Sequence, residues 1–141
     1  MLSNEEFHKI VGETIMYCQC IEHDVKLIFA GMKAGDFQSN LREIKRANLG
    51  DTLKELERLD KSDDKPYFTN SDYRLLDKIR MVRNYLAHEI YREFLYLRGE
   101  ERNSTYERVC ERLERENSQL ADLYKSVERV RISVLKNFRR I

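Results

Sequence analysis

The chain has 141 residues, of which 41% are hydrophobic and 36% charged, with one proline and five glycines. That hydrophobic share argues against a disordered chain, and the length fits a single domain, 1–141, able to bury about 68–70% of its unfolded surface. Lys and Arg number 26 against 25 Asp and Glu, a net charge of +1, which argues against a general nucleic-acid coat and confines any RNA-binding surface to a local patch.

Taken in chain order, the first element opens at Ser3-Asn4-Glu5-Glu6, a capping box in which the Ser accepts from a backbone N–H and the Glu reaches back. Phe7, Ile10, Val11, Thr14, Cys18, Ile21, Val25, Ile28 and Met32 recur at helical spacing. The pattern predicts a helix over 4–32, ended by Gly31 and Gly35. Residues 37–60 carry two short stripes, Leu41 and Ile44, then Leu49, Leu53, Leu56 and Leu59. Gly50-Asp51 predicts a kink or break there. Residues 60–70 are charged, hold the only proline and read as a loop.

The third helix is predicted to open at Thr69-Asn70-Ser71-Asp72. Its stripe is Leu75, Ile79, Val82, Leu86, Ile90, Phe94 and Leu97, and Gly99 closes it. A fourth opens at a second capping box, Ser104-Thr105-Tyr106-Glu107. Val109, Cys110, Leu113, Asn117, Leu120, Tyr124, Val127, Val134 and Phe138 carry it to the C-terminus. No strand pattern or internal repeat competes, so the fold class is all-α, a bundle of four to five helices.

The N-terminal MLSNEEFHK turns acidic at once, unlike a signal peptide. No run approaches the roughly 20 apolar residues that span a bilayer. Cys18, Cys20 and Cys110 form no CxxC pair and read as core or near-core thiols. A cytoplasmic protein without metal or cofactor is expected, and the separated His8 and His23 read as surface residues rather than ligands.

The polar residues of the third helix carry the chemistry. Arg80, Asn84 and His88 are spaced i, i+4, i+8 and form one row, with Tyr91 three residues beyond His88. Arg83 falls about 40° from the centre of the apolar stripe, nearly in the core face, whereas His88 is roughly opposite it. An arginine near a core face must be paired or line a cavity. A polar row on the far face gains no pocket from its own bundle. A second subunit packed against this helix would resolve both, since two-fold dimers bring identical elements together. By spacing alone the row is equally ordinary surface, with Arg83 snorkelling.

Arg83-Asn84-Tyr85-Leu86-Ala87-His88 resembles the R-x4-6-H motif of HEPN domains, in the form with Asn after the Arg and a small residue before the His. Upstream, Asn48-Leu49-Gly50-Asp51-Thr52-Leu53 is similar to the LGxL stretch before the motif helix in some bacterial members. The resemblance implies an up-and-down HEPN-like bundle, a two-fold homodimer with motifs facing one another, and metal-independent endoribonuclease activity in many members. It implies Arg83 and His88 as the catalytic pair and Asn84 as their polar support. Arg80 and Tyr91 are candidate substrate-binding residues. In HEPN toxins paired with a nucleotidyltransferase antitoxin the motif is R-x4-H-x-Y. Here Ile90 stands at the tyrosine position and Tyr91 comes one later.

The chemistry is coherent apart from the family. RNA cleaves itself when its 2′-OH attacks the adjacent phosphate. A neutral imidazole can take that proton, and an arginine fork can hold the phosphate as charge builds. Arg129, Arg131, Lys136, Arg139 and Arg140 could hold further RNA or complement a helix C-terminus. Tyr85, Tyr91 and Tyr96 could stack on bases, although tyrosines on long helices more often pack. The expected function is a ribonuclease, a toxin or defence effector, with RNA as substrate and an antitoxin or nucleotidyltransferase as partner. The alternative is a non-catalytic HEPN-like dimer whose cleft binds a nucleotide or protein.

Overall fold

Reciprocal side-chain caps start two of the helices where their spacing predicts. Ser3 and Glu6 exchange bonds of 3.1 Å each way between backbone N–H and side chain, and Thr69 and Asp72 do the same at 2.9 and 3.0 Å. The computed structural model describes all 141 residues. It holds five α-helices and no strand: α1 Asn4–Met32, α2 Phe37–Ile44, α3 Leu49–Asp60, α4 Asn70–His88 and α5 Gly99–Asn137, with a 3₁₀ turn at Tyr91–Glu93 between the last two. No helix is long and apolar enough to cross a membrane.

Three boundaries differ from the sequence expectation, whereas α1 ends at Met32 as expected. The break in the second region falls at residues 45–48, not at Gly50-Asp51, because Asn48 caps α3. Its side chain accepts from the Asp51 amide at 2.8 Å, which places Gly50 inside the first turn. Gly31 lies one residue inside the end of α1 at Met32. It is a close-packing residue, since a Cβ there would lie 3.2 Å from both Leu135 and Val134. The turn is made at Gly35, whose φ of 102° favours glycine. The third helix stops at His88 rather than at Leu97, with neither Gly nor Pro there. Gly99, at φ 61°, opens the next helix instead of closing this one. The fourth helix therefore starts before Ser104, whose hydroxyl donates to the Glu101 carbonyl at 3.2 Å and caps nothing.

Contacts within the chain group into two units. The first comprises Met1–Gln19 and Ile79–Asp122. Its core is Phe7, Val11, Tyr85, Leu86, Ile90, Phe94, Val109, Cys110 and Leu113. Phe7 meets Tyr91 and Phe94 edge-on, each with centroids 5.4 Å apart, a geometry that favours the positive ring edge on the negative face. Ile90 and Phe94 reach this core although they lie beyond α4. The chain leaves the helix and the 3₁₀ turn carries Phe94 inward, so packing rather than a breaker ends α4. Tyr106 donates to the Leu2 carbonyl at 2.9 Å. Asn117 donates to Glu13 and to the buried Thr14, at 3.0 and 2.9 Å.

The second unit comprises Cys20–Lys78 and Leu123–Ile141. Ile21, Val25, Ile28, Leu56, Leu76, Val127 and Val134 are almost fully buried in it, each burial contributing about 1.5–3 kcal/mol before entropy is counted. Asn40 is buried and donates to the carbonyls of Ala30 and Lys33 at 3.2 and 3.1 Å, satisfying the end of α1. Asp24, 4% exposed, pairs with Arg131 at 3.0 Å. The chain ends in a Schellman turn, with Arg139 at φ 54° and the Arg140 amide bonded to the Leu135 carbonyl at 2.7 Å. Phe138, expected at the end of the apolar stripe, lies beyond α5 and is 42% exposed.

Candidate functional site

The buried face turns as α4 proceeds. Tyr73, Leu76 and Ile79 are buried in its first half, Tyr85 and Leu86 in its second. At 100° per residue Tyr85 lies about 160° from Arg83. Swinging the buried side toward Tyr85 moves Arg83 from near the core centre to its edge. Arg83 is half-buried and engaged with a neighbour.

Arg80, Asn84 and His88 are all exposed, as the spacing predicts, and Ala87 is exposed beside them. Met81 belongs to the same side and is 71% exposed. The row is thus a solvent-facing strip with an apolar side chain in its midst. His88 is the last residue of α4 and is open to solvent.

Tyr91 is placed differently from the rest of the row. Its hydroxyl shares a 2.7 Å hydrogen bond with His8 Nδ1, its ring packs on Phe7, and burial raises its pKa. Because α4 ends at His88, the i+3 relation no longer puts Tyr91 on the same helical strip. Tyr85 is buried, with the Arg112 guanidinium 3.6 Å above its ring centroid and its hydroxyl donating to Glu93. Burial first, then that hydrogen bond, raises its pKa. Of the three tyrosines considered for base stacking, Tyr96 alone is open, at 82% exposed.

His8 and Arg112 are the participants the sequence pattern did not single out. Each comes from another helix, and no local spacing signals its partner. Arg112 also bonds Glu116 at 3.1 Å. The C-terminal arginines are less available than expected for RNA. Arg131 is paired with Asp24, and Arg140 donates to the carbonyls of Gly31 and Lys33 at 3.1 and 2.8 Å. Lys136 and Arg139 remain exposed.

Comparison with protein-family models, curated proteins and solved structures finds no match to this chain.

Proposed function

We propose that the chain is a metal-independent endoribonuclease of HEPN type that works as a two-fold homodimer through the outer strip of α4. The observation that carries this reading is the exposure of Arg80, Asn84 and His88 together on one strip, around the exposed Met81. These polar groups are not consumed by the bundle's own packing. A second copy laid on the strip would cover Met81 and turn an open face into a cleft. There His88 takes the 2′-OH proton as the 2′-oxygen bonds to phosphorus, the bond from phosphorus to the 5′-oxygen breaks and that oxygen takes a proton from water, Arg83 holds the phosphate as charge develops, and Asn84 and Arg80 orient the strand. Tyr91 enters only by releasing His8.

Cleavage in EDTA is expected to leave a 2′,3′-cyclic phosphate and to stop at a 2′-O-methyl nucleotide, because the nucleophile is then blocked. His88→Ala is expected to abolish cutting while the fold survives, since His88 is exposed. A folded His88→Ala protein that cuts as fast as wild type would remove His88 from the mechanism. Light scattering is expected to show a dimer at micromolar concentration, and a stable monomer would sink the composite cleft.

A second reading is a dimer that binds a nucleotide or protein on the same strip and cuts nothing. The engagement of Tyr91 by His8 favours it, because it withdraws one candidate RNA contact. Tight binding without cleavage by wild type would select it.

A further inference from the structure

In the second unit, α1 and α2 flank a cleft of about 340 Å³, at the small end of the range for ligand cavities. Its floor is aliphatic, made by Leu27, Leu41 and Ile44, all half-buried. Its rim carries Lys26, Arg42 and Lys45 with His23, and no carboxylate lines it. In a chain with 26 basic and 25 acidic residues, three cations and an imidazole around one apolar floor are a local excess.

Two nearby acids have partners of their own. Glu43 pairs with Lys33 at 3.0 Å. Asp36 accepts from the Ser39 amide and hydroxyl at 2.9 and 3.0 Å and also attracts Arg42. Two of the cations donate to neutral acceptors: Lys26 to the Lys45 carbonyl at 3.3 Å and Arg42 to the Ser39 hydroxyl at 3.1 Å. Both contacts are weaker than a charge-assisted bond to an anion.

We propose that this cleft is a binding site for a small soluble phosphate ester with an aliphatic body. The guanidinium fork of Arg42 and the ammonium groups of Lys26 and Lys45 suit a phosphate dianion. The floor takes a chain of a few carbons. No Phe, Tyr or Trp lines the cleft, so it offers a nucleobase no aromatic platform. The assignment is independent of the ribonuclease reading.

Calorimetric titration of the full chain with hexyl phosphate, inorganic phosphate and hexanol tests it. Hexyl phosphate is expected to bind about tenfold or more tighter than inorganic phosphate, and hexanol not at all. Exchanging two of the rim residues, Arg42→Gln with Lys45→Gln, is expected to weaken hexyl phosphate about tenfold or more without loss of helicity, since both are exposed. Amide NMR shifts on titration are expected to centre on residues 23–27 and 38–45. The proposal is overturned by no binding of hexyl phosphate at millimolar concentration, by equal affinity for inorganic phosphate, by a double variant that binds like wild type, or by shifts centred elsewhere. Binding to phosphatidic acid vesicles with none to hexyl phosphate overturns it as well.

Discussion

Asp60 occupies a position that the helix dipole disfavours, the last residue of α3. It is 3% exposed and accepts from the Tyr67 and Phe68 amides and the Tyr73 hydroxyl, at 2.7, 3.1 and 2.6 Å. A side chain disfavoured by its own helix is thus what ties the charged loop down. Asp60→Ala leaves the buried Phe68 amide and Tyr73 hydroxyl without that acceptor. The expected cost is about 3 kcal/mol in chemical denaturation, from about 1–3 kcal/mol per unsatisfied donor, with Asp60→Asn costing less because it keeps one acceptor oxygen. A loss below about 0.5 kcal/mol would mean that the donors find other partners. At the proposed site, Arg83→Lys keeps the charge and removes the fork. Cleavage is expected to drop by at least about tenfold with the melting temperature little changed, which a side chain important only for its charge would not show.

Helix α4 shows how much an element owes to its neighbours. Its start is encoded locally by the Thr69 and Asp72 box. Its end is not, because no breaker stands near His88 and the helical stripe continues through Ile90 and Phe94. Those two residues are buried on either side of the 3₁₀ turn instead, in the Phe7 cluster. Leu86 is 3% exposed in that cluster, so Leu86→Ala is expected to cost about 2–5 kcal/mol by urea denaturation. An unchanged midpoint would place the core on a different face. The same dependence governs α2, whose end-capping Asn40 and half-buried Leu41 and Ile44 are fixed by contacts with α1 rather than by a long periodic run.

For the molecule as a whole, pH acts at both the alkaline and the acid end. Burial raises the pKa values of Tyr73, Tyr85, Tyr91 and Tyr106, with Tyr106 pushed up to about 12. The unfolded chain loses these protons first, near its ordinary value of 10.0. Their contribution is therefore complete below pH 10 and falls as pH rises through the folded values. The melting temperature is expected to fall steadily above about pH 10, and a flat profile to pH 12 would show that the phenols are open to solvent. At the acid end, the amides of Ser3 and Ser39 hold Glu6 and Asp36 below their ordinary values of 4.5 and 3.8. That stabilisation is present above those values and is lost as pH falls through the lowered ones.

The sequence by itself determined the helical class, the span of α1, the loop near Pro66 and the exposure of Arg80, Asn84 and His88, because period and capping are local properties of the chain. It also marked Leu86 and Ile79 as core. Only the tertiary structure decided where α4 stops, why Gly31 must be small, and which residues meet Tyr91, Tyr85 and Arg131. It moved Arg83 to the edge of the buried face and opened the cationic cleft beside α2. Each of these depends on side chains brought together from distant segments, and helical periodicity reports which way a residue points but not what it meets there.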